Sequence, residues 1–186
     1  MTVEELMQDG TRRMDQAVEH TRTEFNTVRT GRASAALLDR ISIDYYGQDT
    51  PLKQLATINV PEPRMLTIQP FDPGSVRQIE KAIQESDLGL TPSNDGKIIR
   101  LPIPQLTEER RKELVKVVRH LAEEGRIAVR NVRRDVLHHM KELVNIGVVG
   151  ADEEHRGEER VQKLTDEHIK TIDDALKHKE AEILEV

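Results

Sequence analysis

Arginine is concentrated at one point of this sequence. Residues 126–135 read RIAVRNVRRD, which places Arg126, Arg130, Arg133 and Arg134 within one short stretch of a chain whose formal net charge is −6. The guanidinium group is planar, permanently charged and shaped to grip phosphate oxygens in pairs, so clustered arginine points first to a polyanion. Other chemistries find less support. There is no cysteine, which excludes a disulfide framework, a thiolate metal site and a cysteine nucleophile. Seven histidines include the adjacent His138 and His139, but neighbours on a helix point about 100° apart and no H-x-x-x-H pair occurs, so no metal site is expected. In DGKII at 95–99, Ile follows Lys97 where a phosphate loop needs Ser or Thr to hold magnesium. Carboxylates are abundant, but none is framed by apolar sequence that would shift its pKa, so neither an enzyme nor a cofactor is expected.

The arginines need elements to carry them. Val3, Met7, Met14, Ala17, Val18, Thr21, Phe25 and Val28 recur at spacings of three and four, which predicts a helix over 3–29 with one buried face. All eight prolines lie from Pro51 to Pro104 and ISIDYY alternates, so 31–104 reads as strands and turns. Within it Val76, Ile79 and Ile83 share one face of a short helix, and Gly89 suits a left-handed C-terminal cap. Helical texture returns with Thr107 as the expected N-cap. Leu114, Val118, Leu121, Val129, Val132, Val136, Met140 and Leu143 then hold one face to about 146. After a turn near Gly147 to Gly150, a third stripe runs through Val161, Leu164, Ile169, Ile172, Leu176 and Ile183.

No one of these helices can hide its stripe alone. The expected fold is therefore α+β: an elongated antiparallel three-helix bundle from residues 1–30 and 105–186, with a small β/α/β domain, 31–104, inserted between the first two helices. Two chain crossings would join the parts into a bent, two-armed molecule, with Gly31, Arg32, Pro102 and Pro104 as hinge residues. Gly10, Gly125 and Gly157 fall inside predicted helices, where each costs roughly 1 kcal/mol relative to Ala; Gly125 lies on the apolar stripe, where a close helix approach would compensate.

Charge divides between the helices. Residues 105–150 carry 10 basic against 7 acidic side chains, whereas 152–186 carry 6 against 12, so the acidity sits largely on the third helix. At ~100° per residue Lys112, Lys116, Arg119, Arg126, Arg130, Arg133, Arg134 and Lys141 fall within one sector of the second helix, away from its apolar stripe. Such a face can simply be solvated, or paired with the acidic third helix. Its richness in arginine instead suits phosphate, and folded RNA can be recognised by backbone shape without aromatic stacking, which fits a chain with four aromatic residues. The N-terminus lacks a signal-peptide core and no apolar run approaches ~18 residues, so a cytoplasmic protein without a membrane span is expected.

Several stretches then resemble one family: VRTGRAS at 28–34, YYG and TPLKQLA within 45–56, PFD at 70–72, EKAI and SDLGL within 80–90, LTEERRKEL at 106–114, RIAVRNVRRD at 126–135 and VQKLTD at 161–166. In this order, over almost the whole chain, they resemble the ribosome recycling factors, which act with elongation factor G to split the post-termination ribosome into subunits. The resemblance implies an L shape like that of transfer RNA. It places the bundle against 23S rRNA of the large subunit, and the smaller domain against elongation factor G with GTP. Hydrolysis would belong to that partner, leaving no catalytic residue here. Carried over, Arg29 and Arg32 in VRTGRAS, Arg110 in LTEERR, and Arg130, Arg133 and Arg134 in RNVRRD would touch rRNA. Arg133 unites stripe and motif positions and is the strongest single expectation. A monomer is expected. The alternative is a coiled-coil interaction adaptor or chaperone-like bundle whose binding would survive RNase.

Overall fold

A computed structural model of the protein describes residues 1–185. In chain order its elements are α1 (Val3–Asn26), β1 (Ser42–Tyr45), β2 (Gln48–Pro51), a single turn α2 (Leu52–Leu55), β3 (Ala56–Glu62), β4 (Met65–Pro70), α3 (Val76–Glu85), β5 (Ser93–Asn94), β6 (Ile99–Pro102), α4 (Glu108–Asn145) and α5 (Ala151–Leu184). Contacts divide the chain into two compact units, residues 1–29 with 108–185, and residues 30–107. Residues 105–107, grouped above with the bundle, cluster with the smaller unit because Leu106 packs on Gly31.

The larger unit is the bundle. α1 opens with a capping box: the Thr2 hydroxyl accepts the Glu5 N–H at 3.1 Å, while the Glu5 carboxylate accepts the Thr2 N–H at 2.8 Å. Met14 and Val18 from α1, Val118, Ala122, Val129 and Val136 from α4, and Val161, Ile172 and Ile183 from α5 are buried between the three helices. Each of the larger ones contributes about 1.5–3 kcal/mol by leaving water. Gly10 faces Val136 and Thr21 faces Gly125, so α4 runs antiparallel to α1. The chain reverses at Gly147, φ 77°, and brings α5 back parallel to α1, with Glu4 meeting Arg160 and Asp15 meeting His168.

The three helical glycines explain themselves at the crossings. A Cβ on Gly10 would lie 2.9 Å from Val136 Cγ2, one on Gly157 would lie 2.6 Å from Met140 Sδ, and one on Gly125 would collide with the Thr21 hydroxyl. The propensity cost anticipated for these residues is the condition for close helix approach. Thr165 is a core residue that no apolar stripe marks. Its hydroxyl donates to Val161 O at 2.8 Å, which satisfies the polar atom and leaves the methyl free to pack.

The smaller unit holds a four-stranded antiparallel sheet of order β3-β4-β6-β5 and a separate β1–β2 hairpin. Its core is aliphatic, built around Leu38, Leu52, Leu66, Ile68, Ile79, Ile83, Ile99 and Leu101. The α3 face of Val76, Ile79 and Ile83 is buried as its spacing predicts. The cap is different from the expected one. Gly89 does adopt positive φ, but α3 ends earlier, at Ser86, whose hydroxyl donates to Ile83 O at 2.6 Å and accepts the Leu88 N–H at 3.4 Å. A serine that back-bonds to the last turn stops the helix before the glycine is reached.

Candidate nucleic-acid interface

α4 carries the basic sector along its whole length of about 57 Å. The structure sorts that sector by partner. Arg119 donates to Glu180 at 2.6 Å, Arg126 to Asp173 at 2.7 Å, and Lys141 lies 3.6 Å from Glu154, all three carboxylates being on α5. These cations lie on the flank of α4 that turns towards the acidic helix, and they hold the two helices together. For them the paired, structural reading holds.

The remaining arginines of RNVRRD are held differently. Arg130 lies 3.4 Å from Glu123, a carboxylate that Arg126 also engages at 2.9 Å, so one acid is divided between two cations. The Arg126 hydrogen bond, with Arg130 beside it, keeps the Glu123 carboxyl below its ordinary value. Arg133 donates to Gln162 Oε1 at 3.2 Å, and a neutral amide leaves its charge uncompensated. Arg134 is exposed and makes no hydrogen bond or ion pair among the described residues. The stretch therefore presents net positive charge to solvent, centred on Arg133 and Arg134.

Neighbouring α1 adds order rather than charge. Arg13 donates to Asp135 at 2.7 Å across the α1–α4 seam, a link between residues far apart in sequence. That hydrogen bond, more than the nearby His139 and Arg134, holds the Asp135 carboxyl below its ordinary value. Its stabilising contribution is present above the unfolded carboxylate pKa of ~3.9 and is lost as pH falls through the lower folded value. Replacing Arg13 by Met is expected to move the Asp135 titration midpoint upwards in a carboxyl-detected NMR series. An unmoved midpoint would mean that Arg13 does not hold the carboxylate.

The other carried-over residues lie outside RNVRRD. Arg29 is exposed beyond the α1 C-cap Thr27, and Arg32 is exposed beside Gly31. Arg110 is exposed in the first turn of α4, where its guanidinium donates to Glu113 at 2.9 Å. Gly31 has φ 75°, and a Cβ there would approach Leu106 Cγ to 3.0 Å. The Ala33 N–H donates to Pro63 O at 2.7 Å and the Ile103 N–H to Arg64 O at 2.8 Å, so both chain crossings are pinned to one β3–β4 turn. Pro102 is the last residue of β6, paired with Met65, and Pro104 follows it outside the sheet.

A groove of about 910 Å³ lies between α1 and α5. Its lining sets Glu4, Asp15, Glu19 and Glu167 against Arg12, Arg160 and Lys163, so it offers phosphate no net attraction. Among the described residues no cluster of acidic and histidine side chains could hold a metal, and no helix is long and apolar enough to cross a membrane.

Comparison with known proteins agrees in sequence and in fold. The ribosome recycling factor family profile matches residues 21–184. The ribosome-recycling factor of Rubrobacter xylanophilus is 58% identical over 180 residues, covering 97% of each chain. That of Carboxydothermus hydrogenoformans is 52% identical over 184 residues, covering 99% of this chain and 100% of the relative. A solution structure of a ribosome recycling factor superposes with a TM-score of 0.79 at 43% identity, covering 100% of this chain and 99% of the other. The Thermus thermophilus factor, described with Escherichia coli elongation factor G on the E. coli post-termination complex, gives a TM-score of 0.67 at 46% identity, covering 99% and 100% of the two chains. With a profile spanning most of its length and relatives more than half identical to it, this chain belongs to the ribosome recycling factor family, whose members are translation factors and not enzymes.

Proposed function

We propose that the bundle anchors to phosphates of large-subunit 23S rRNA through Arg29, Arg32, Arg110, Arg130, Arg133 and Arg134. Residues 31–104 form the second arm, which receives elongation factor G with GTP and moves on the two chain crossings. Together these actions separate the subunits of the post-termination ribosome. The observation that carries the reading is the uncompensated pair Arg133 and Arg134 on a stiff helix, in a member of this family. The hinge reading draws on Gly31 and on the pinning of Ala33 and Ile103. Bending then falls on 30–32 and on Pro104 with the residues after it, while Arg32 stands in the first crossing and Pro102 marks where the rigid sheet ends.

Equilibrium binding to purified 50S subunits over a salt series tests the anchor. Arg133→Ala and Arg134→Ala are each expected to weaken binding and to lower the slope of log K against log salt by about one. Arg119→Ala removes a cation that is engaged with α5 and is expected to leave the slope unchanged. If all three variants behave alike, the α4 face is not the RNA contact. Binding to extract proteins that survives RNase would instead favour the adaptor reading.

A further inference from the structure

Three arginines of α4 stand seven residues apart, and three carboxylates of α5 repeat the same interval. Arg119, Arg126 and Arg133 follow one line on α4, while Glu180, Asp173 and Asp166 follow one line on α5. Seven residues are close to two helical turns, so each line keeps to one flank of its helix and its members lie about 10.5 Å apart. The two helices run antiparallel. The register that joins Arg119 to Glu180 at 2.6 Å and Arg126 to Asp173 at 2.7 Å therefore matches Arg133 with Asp166 at the next step.

That third rung does not close. Among the described residues no ion pair joins Arg133 to Asp166, and Gln162 bridges them instead. Its amide oxygen accepts from the Arg133 guanidinium at 3.2 Å, and its amide nitrogen donates to Asp166 Oδ1 at 2.9 Å. The amide cannot be turned round. A carboxylate only accepts and a guanidinium only donates, so Nε2 must face Asp166 and Oε1 must face Arg133. Gln162 and Asp166 are four apart on α5, the spacing at which a glutamine and an aspartate pair along a helix surface.

The difference between the rungs is one of charge. Asp173 and Glu180 neutralise their arginines, whereas the Gln162 oxygen gives Arg133 a hydrogen bond and a direction but no opposing charge. The same amide occupies Asp166, the acid that the register would otherwise deliver. Arg133 is half-buried while Gln162 and Asp166 are exposed, so the relay forms at the solvent edge of the seam.

We propose that Gln162 is a positioning residue for rRNA binding: it keeps Arg133 from closing onto Asp166 and so leaves the guanidinium available to phosphate. The inference rests on the function proposed above, in which Arg133 touches 23S rRNA. Two rungs fasten α5 to α4, and the third is held open for the RNA.

The test measures equilibrium binding to purified 50S subunits over a salt series. It compares full-length native protein with Gln162→Ala, Asp166→Asn and Arg133→Ala, and with Gln162→Ala combined with each of the other two changes. Gln162→Ala is expected to bind about two- to fivefold more weakly near 0.1 M salt, the range that an exposed ion pair can withhold, with a shallower salt slope. Its thermal midpoint is expected to stay native, since the truncated side chain is exposed. Adding Asp166→Asn is expected to restore affinity, by a larger factor than the same change gives in the native background, because the competing acid is gone. In the Arg133→Ala background Gln162→Ala is expected to be silent. A crystal structure of Gln162→Ala is expected to show the Arg133 guanidinium on the Asp166 carboxylate, and a guanidinium that stays off it overturns the inference. Native-like binding by Gln162→Ala beside weakened Arg133→Ala also overturns it, while the proposed function stands. A loss that persists without Arg133 does the same, by making Gln162 itself the RNA contact. Native-like binding by Arg133→Ala is a separate result: it overturns the Arg133 contact of the proposed function, and the role of Gln162 falls with it.

Discussion

Gly125→Val is expected to destabilise the bundle by about 2–3 kcal/mol, even though replacing a glycine in mid-helix ordinarily stabilises. The new side chain would enter the crossing of all three helices. Its Cβ would collide with the Thr21 hydroxyl and lie 3.2 Å from Ile172 Cδ1, two side chains that are 3% and 1% exposed and have nowhere to retreat. Overpacking of a close-packed interior forces rotamers off their minima or moves a backbone, and a long helix transmits that shift along its seam. The Thr21 hydroxyl is additionally engaged with Ala17 O at 2.9 Å, so displacing it breaks a hydrogen bond. For a unit of this size the loss corresponds to a fall in thermal midpoint on the order of 10 °C, read by calorimetry. A double-mutant cycle locates the cause. Gly125→Ala combined with Thr21→Ala is expected to be milder than the sum of the two single changes, because removing the hydroxyl removes the collision. Strict additivity would mean that the crossing is looser than these distances describe.

Reversing Arg133 and Arg134 together to Glu is expected to lower affinity for the 50S subunit by roughly 100-fold near 0.1 M salt, with the salt slope falling by about two. The argument is one of compensation. Arg119 and Arg126 have carboxylates of α5 within 2.7 Å, so their charge is neutralised at the seam. Among the described residues Arg133 has only the neutral Gln162 as a partner, and Arg134 projects to solvent, so removing their charge changes the field seen by an approaching polyanion. Neither side chain belongs to the buried core, so the thermal midpoint is expected to stay close to native. Retained 50S binding over the salt series would disconnect RIAVRNVRRD from the ribosome.

Much of the fold can be read from residue spacing, and the misreadings have identifiable physical sources. Long amphipathic stripes are redundant, so one substitution does not hide them, and Val118, Val129 and Val136 are buried as their period requires. Thr165 escapes because its hydroxyl is silenced locally by Val161 O, something no hydropathy pattern encodes. Gly89 misleads because glycine marks a permitted left-handed backbone, whereas the α3 terminus is set by the hydroxyl of Ser86. At the basic site the sequence identifies the arginines but not their partners. Arg126 with Asp173 and Arg13 with Asp135 are 47 and 122 positions apart, and only the helix seams bring them together. Separating structural from available arginines therefore requires the fold. Tyr46 illustrates the converse case: YYG is visible as a motif, but the positive φ and exposure that make it costly are not.

The insertion of the smaller unit between α1 and α4 has a consequence for synthesis. About 80 residues separate the end of α1 from the start of α4, and α5 follows later still. At about 5–20 residues per second, α1 leaves the ribosome on the order of 4–16 seconds before either helix that covers its apolar face exists. During that interval residues 30–107 can complete their own sheet and aliphatic core, whose strand pairings all lie within that segment. The nascent chain thus finishes its middle before its beginning, and Leu6, Met14, Val18 and Phe25 wait in solvent or on a chaperone until the C-terminal half arrives to enclose them.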